Sequence, residues 1–306
     1  MKLCRFNNDR LGVVEGETIK DVSAALDVLP SLRWPLPQGD QFIRQLPEVL
    51  RAVQAMRPNA LTVNREGIHF LSPIANPSKV MAAPLNYTKH VDEVSKDPQI
   101  HAETHTFKYD GFLTPIDKLG LFIKANSSIV GPSHGVQLVY PERRTDHEVE
   151  LVAVIGREAK NIDEVGALDY VCGYCIGLDM TVRGPEDRSF RKSPDTYTVL
   201  GPYFVTADEV PDPGRLEMSI TVNGIVKQSA NTKDLTVNLA RLIAIASSCY
   251  TLYPGDLIMT GTPDGVAPVA PGDEIVATIS SLGEMRVTVR AGVPSSGVHA
   301  RRSVAE

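Results

Sequence analysis

The chain has 306 residues, 42% of them hydrophobic, which is enough for one large or two modest domains around a proper core. A net charge of -6, with no basic block longer than Arg301-Arg302, excludes the electrostatic footprint of a nucleic-acid or anionic-membrane binder and leaves small molecules as the expected partners. No apolar run approaches bilayer length, and Met1-Lys2-Leu3-Cys4-Arg5-Phe6 leads into polar Asn7-Asn8-Asp9-Arg10 instead of a signal-peptide core, so a cytoplasmic protein is expected.

In chain order, two short alternating segments, Met1 to Phe6 and Arg10 to Glu15, precede a helical stretch from Asp21 to Leu29 with Asp21 as its cap. Proline-rich sequence from Leu29 to Gly39 separates this from helical spacing over Phe42 to Met56. A boundary at Ser72-Pro73-Ile74-Ala75-Asn76-Pro77 divides a small N-terminal α+β domain, 1–74, from a catalytic domain, 75–293, followed by a disordered tail, 294–306. Beyond the boundary the chain is mainly β. Glu148 to Gly156, Tyr170 to Asp179 and Tyr203 to Thr206 read as strands, and Asn223-Gly224 predicts a type I′ hairpin. A helix over Thr236 to Tyr250, a strand over Leu257 to Thr260 and a last hairpin from Glu274 to Val289 complete an α+β, mainly β pattern.

The four cysteines, Cys4, Cys172, Cys175 and Cys249, are too few for a secreted disulfide framework. Cys172-Gly-Tyr-Cys175 has redox or zinc-knuckle spacing, but it lies within a strand-like run with no second pair, so buried, inert thiols are expected.

The chemistry concentrates in Glu148-Val-Glu150-Leu-Val-Ala-Val-Ile155. Strand periodicity puts both glutamates on one face with Val152 and Val154, while Val149, Leu151, Ala153 and Ile155 fill the other. Two carboxylates side by side in apolar surroundings repel and lose hydration, at a cost of several kcal/mol unless positive charge intervenes. Asp179 ends a second apolar strand in the same way, and three oxygen ligands on two strands suit magnesium or manganese with open positions for substrate. The competing reading puts these acids on a solvent-facing edge or pairs them with arginine, for instance Arg143, Arg144 or Arg183. His147 falls on the opposite side of the strand from Glu148 and is expected to be structural. His101-Ala-Glu-Thr-His105 has the spacing of a helical zinc pair, but its polar, turn-rich flanks favour a lid segment over a metal site.

Further motifs share an order and spacing: Asn86-Tyr87-x-x-His90-x-x-Glu93, Phe122-Ile-Lys124, Glu148-x-Glu150, Gly173-Tyr174 leading to Asp179 and Arg183, Lys192 ahead of Leu200-Gly-Pro-Tyr-Phe-Val-Thr, and Pro254-Gly-Asp-Leu-Ile-x-x-Gly261-Thr-Pro-x-Gly265. With these the chain resembles the fumarylacetoacetate hydrolase family over roughly residues 80–289. The resemblance implies a mixed β-roll, usually homodimeric, with Mg2+ or Mn2+ on Glu148, Glu150 and Asp179. It implies action on β-diketo or related oxo acids, commonly from aromatic-ring degradation. His90 and Glu93, three residues apart and so on one side of a helical turn, become the catalytic base and its orienting carboxylate. Lys192 becomes the stabiliser of developing negative charge, while Tyr87, Lys124, Arg183 and Thr262 become candidates to bind substrate.

The expected activity is hydrolysis of a carbon-carbon bond in an acylpyruvate of the fumarylpyruvate, maleylpyruvate or fumarylacetoacetate type. The alternatives are an isomerase, decarboxylase or hydratase at the same metal, or a metal-stabilised binding protein without activity. Leu85 and Leu178 stand where many members have Gly and Asn, Gly184 stands where an acid is common, and the segment 97–114 is longer than in compact members. Substrate identity is expected to lie in these differences.

Overall fold

The computed structural model describes residues 1–97 and 114–292. The zinc-like His101 and His105, most of the 97–114 segment expected to form a lid and the tail 294–306 lie outside the described residues.

The fold is a sheet-rich α+β arrangement built on a mixed twelve-stranded sheet. At its centre Val149–Ile155 runs antiparallel to Val171–Asp179 on one side and to Leu257–Met259 on the other. Val171–Asp179 in turn pairs antiparallel with Thr198–Thr206. On the far side Val80–Ala82 lies parallel to Leu257–Met259 and antiparallel to the edge strand Phe122–Lys124. All seven residues of Val149–Ile155 are buried, which is why this strand reads as a continuous apolar run instead of an alternating one. Its two faces serve different cores: Val149, Leu151, Ala153 and Ile155 join a cluster with Tyr197 and Leu242, and Val152 and Val154 join one with Leu3, Ile43 and Phe204.

The N-terminal segment enters the same sheet. Lys2–Phe6 pairs antiparallel with Thr198–Thr206, with Leu3 opposite Phe204, and Arg10–Glu15, Thr18–Asp21 and Leu61–Asn64 extend the sheet outward. Asp40 joins this segment to the following one. Its buried carboxylate caps the Gln41–Arg44 helix through the amides of Phe42 and Ile43, and its other oxygen accepts from Ala75 and Asn76 at 3.1 and 2.8 Å.

Several elements differ from the sequence expectation. Asp21 ends a strand, and the turn after it tightens into a 3₁₀ helix, Ser23–Val28. The expected helix over Phe42 to Met56 breaks at Gln45, because Pro47 lacks an N–H and disfavours continuous α geometry before it; Leu46–Met56 restarts with the proline in its first turn. The strand expected from Tyr203 begins at Thr198, passing through Gly201-Pro202. Asn223 and Gly224, both at positive φ, make the expected turn between Glu217–Val222 and Ile225–Asn231. The Leu239–Cys249 helix, capped by Asn238, begins three residues inside the expected start at Thr236.

Candidate active site

Pairing between the two central strands places the acids. Val149 lies opposite Leu178 and Glu150 opposite Gly177, and the Asp179 amide donates to the Glu148 carbonyl at 2.9 Å. Glu148, Glu150 and Asp179 are thereby brought together at one end of the apolar face, with candidate ligand oxygens all within 4.8 Å of one another. All three are buried.

Their surroundings are organised by cations and one glycine. Lys192 Nζ donates to Glu148 Oε2 at 2.6 Å, Asp179 Oδ2 at 2.7 Å and Thr181 Oγ1 at 2.6 Å. Lys124 donates to the other Asp179 oxygen, and to the Tyr197 carbonyl at 3.1 Å. Arg183 reaches Glu148 Oε1 at 3.3 Å while its Nε holds Asp146 at 2.8 Å. The Gly261 amide donates to Glu150 Oε2 at 2.7 Å. Gly261 has φ +97°, and a Cβ there would stand 2.7 Å from Asn86 Cβ, so only glycine presents this amide without displacing Asn86.

Burial opposes ionisation of Glu148, but Lys192 and Arg183 outweigh it and hold its carboxyl down at about 2. Glu150 goes the other way: burial, and then the neighbouring Asp179 and Glu148 charges, push its carboxyl well above the usual carboxylate range. A cluster that cannot ionise fully on its own, with three hard oxygen donors, fits a magnesium or manganese ion.

The cavity over the carboxylates brings in His90, Arg183, Lys192 and Thr262 from the sequence-derived set. His90 is carried on the Thr88–Lys96 helix; its Nδ1 meets Glu93 Oε2 at 2.9 Å, and the other Glu93 oxygen accepts from the Gly265 amide at 3.0 Å. A carboxylate at Nδ1 fixes that nitrogen as the donor and leaves Nε2 basic. Thr262 Oγ1 accepts from Gln228 Nε2 at 2.9 Å. Tyr87 and Lys124 do not line this cavity. The Tyr87 hydroxyl donates to Met218 Sδ at 3.2 Å and burial raises its pKa; Lys124 is fully buried behind Asp179, where desolvation lowers its pKa against the pull of that carboxylate.

His147 is buried with Nδ1 near Gln228 Oε1 at 3.3 Å, and it is not among the carboxylate group. Cys172 and Cys175 lie in the Val171–Asp179 strand, where burial pushes the Cys172 thiol up to about 12 and also raises Cys175, so neither is a thiolate near neutrality. Of the two leucines singled out in the sequence, Leu85 lines the cavity and Leu178 does not, being buried in the core beside Val149; the structure adds Val94, Phe122, Arg188 and Arg191 to the cavity wall. The two arginines lie on the short helix Arg188–Lys192, whose sequence Arg-Ser-Phe-Arg-Lys carries no signal separating a cavity-facing guanidinium from a solvated one.

Residues 79–290 match the family described as fumarylacetoacetate (FAA) hydrolase C-terminal. Maleylpyruvate hydrolase of Aquipseudomonas alcaligenes is 51% identical over 290 residues, which cover 95% of this chain and 99% of that protein. Oxaloacetate tautomerase Fahd2a, mitochondrial, of Rattus norvegicus is 35% identical over 249 residues, covering 76% of this chain and 72% of that one. Among solved structures, maleylpyruvate hydrolase from Sphingobium sp. SYK-6 in complex with manganese(II) ion and pyruvate is similar with a TM-score of 0.79 at 36% identity, over 96% of this chain and 100% of that chain. The chain belongs to the fumarylacetoacetate hydrolase family.

Proposed function

We propose that this protein is a metal-dependent hydrolase that cleaves a carbon-carbon bond of an acylpyruvate of the maleylpyruvate, fumarylpyruvate or fumarylacetoacetate type, in the degradation of aromatic compounds. The observation that carries this reading is His90, held at Nδ1 by Glu93, which lines the same cavity as Glu148, Glu150, Asp179 and Lys192. The manganese and pyruvate in the Sphingobium relative support it, since pyruvate is a product expected of such a cleavage.

Glu148, Glu150 and Asp179 are the proposed ligands of Mg2+ or Mn2+, which supplies positive charge for the dioxo end of the substrate. His90 Nε2, oriented through Nδ1 by Glu93, takes a proton from water as the water oxygen bonds to the distal acyl carbon. The bond from that carbon to the methylene then breaks. One fragment leaves as a carboxylic acid and the other as pyruvate, whose methylene carbon takes up the proton. Lys192, already among the carboxylates, stabilises the negative charge that builds on the departing fragment. Arg183 and Thr262 are proposed to contact substrate. For Tyr87 and Lys124 the geometry favours support of the Asn86 loop and of Asp179 over direct contact.

The finer architecture proposed is a small N-terminal α+β domain, 1–74, on a mixed β-roll catalytic domain, 75–293, in a cytoplasmic homodimer. The N-terminal strand seated on Thr198–Thr206 supports close packing of the two parts. No helix among the described residues is long and apolar enough to cross a membrane.

The test is loss of enol absorbance from a panel of acylpyruvates with chelated and Mn2+-loaded protein. His90→Ala and Glu93→Ala are expected to lower kcat about 10²–10⁴-fold and about 10–10²-fold while leaving Mn2+ affinity in place. Unchanged turnover in both variants would end the hydrolase mechanism. Metal-dependent tautomerisation, decarboxylation or hydration of an oxo acid without acylpyruvate cleavage would instead favour the isomerase, decarboxylase or hydratase alternative, to which the similarity to the rat tautomerase lends some weight.

A further inference from the structure

We propose that Arg188 receives a second carboxylate at the acyl end of the substrate and so selects dicarboxylic acylpyruvates over simple ones. The inference rests on the hydrolase reading above and deepens it.

Most cations that line the cavity have polar partners. Arg183 holds Asp146 and Glu148, Lys192 holds Glu148, Asp179 and Thr181, and Arg191 donates to the Glu186 carbonyl at 2.9 Å. Arg188 has no hydrogen bond or ion pair with any described residue. Its guanidinium lies over the Phe122 ring, with Cζ 5.6 Å from the centroid, and Lys192 Nζ is 5.5 Å from the same centroid. Phe122 therefore fixes the guanidinium by its face and leaves its N–H edge for a ligand.

Position along the helix sets the spacing. Arg188 and Lys192 are i and i+4 on one short helix, so their Cβ atoms are about 5–6 Å apart on the same side. Lys192 reaches the carboxylates, where the dioxo end of the substrate is proposed to bind. Arg188 stands one turn away, which is the separation of an acyl carbonyl from a carboxylate two or three carbons beyond it. A four-carbon unsaturated diacid fragment fits that interval, and an acetyl group does not reach.

Charge favours the same substrate. Lys124, Lys192 and a dication outweigh the three carboxylates, and Arg188 and Arg191 add to the surplus. Burial and the nearby Arg191 both disfavour the charged form of Arg188, and a ligand carboxylate would reverse that. An N–H fork facing a planar carboxylate is the geometry in which arginine surpasses lysine.

The experiment compares the Mn2+-loaded wild type with Arg188→Gln and Arg188→Lys on maleylpyruvate and on acetylpyruvate, which lacks the second carboxylate. The proposal expects Arg188→Gln to lower kcat/KM for maleylpyruvate about 10–10²-fold, mostly through KM, with acetylpyruvate within about twofold and partial recovery in Arg188→Lys. Equal losses on both substrates, or no loss on maleylpyruvate, overturn it. Titration with the uncleaved pair 2-oxoadipate and 2-oxobutyrate separates this from the hydrolase reading. If wild type cleaves neither acylpyruvate, that reading fails, while weaker binding of 2-oxoadipate alone in Arg188→Gln still supports the carboxylate site, and equal binding by both proteins removes it. Melting temperature and Mn2+ affinity report whether the variants are folded, and both are expected to match wild type.

Discussion

Leu85 shows what a single position in the cavity wall sets against backbone preference. It has φ +50°, in the left-handed region where a leucine costs about 1–2 kcal/mol relative to glycine, and it packs against Val94 and Val266. Leu85→Gly would remove that strain together with a half-buried side chain whose contacts are of similar value, so the two changes nearly cancel. The melting temperature is expected to move by no more than about 4 °C, while KM for an acylpyruvate rises as the wall retreats; calorimetry and steady-state kinetics check the two halves. A fall of more than about 10 °C would show that Leu85 anchors the fold instead. At this scale the sequence was informative where charge conflicts with context. Glu148, Glu150 and Asp179 stand out because an acid in an apolar strand requires compensation. Arg188 could not be singled out in the same way, because an arginine on a polar helical turn has no such conflict until Phe122 is brought beneath it from the edge strand. Lys124 was picked out only by the family motif, as a substrate-binding candidate, and its direction, toward Asp179 and away from the cavity, depends on the register of the edge strand.

Among elements, the paired strands that carry the carboxylates make stability depend on pH and metal together. Glu150 has a raised folded-state pKa, so its neutral form contributes stability that is fully present below the ordinary carboxylate range and is lost as pH rises through the raised value. A bound divalent cation reverses that loss. The increase in melting temperature on adding Mn2+ to chelated protein is therefore expected to be larger at pH 8 than at pH 5.5, as thermal scans across pH would show; a gain that is flat or falls with pH would contradict the assignment of Glu150. Elements with local determinants were predictable: the Asn223-Gly224 hairpin follows from two residues tolerant of positive φ, and the Leu239–Cys249 helix from its apolar face. The break at Gln45 and the length of Thr198–Thr206 were harder, since Pro47 can begin a helix as readily as end one, and Gly201-Pro202 looks like a turn within a sequence that continues as strand.

For the whole molecule, the first strand is a structural member of the sheet behind the site. Removing residues 1–74 would bare one edge of Thr198–Thr206 and the apolar surface around Phe204 and Val154, so the shortened chain is expected to be insoluble when expressed; a soluble, monodisperse fragment that still binds Mn2+ would refute this. Pairings of this kind, between residues about two hundred positions apart, leave no local trace, which is why the sequence suggested two parts packed together and gave no sign of the sheet they share. The same long-range construction has a consequence for Lys192 and Lys124. Both meet Asp179, one at each oxygen, and they come from the helix and the edge strand on either side of it. These ammonium groups act as internal counter-ions that belong to the scaffold, so part of the carboxylate charge is balanced before a divalent ion arrives, and its binding is a local exchange of partners that adds stability to a chain already folded.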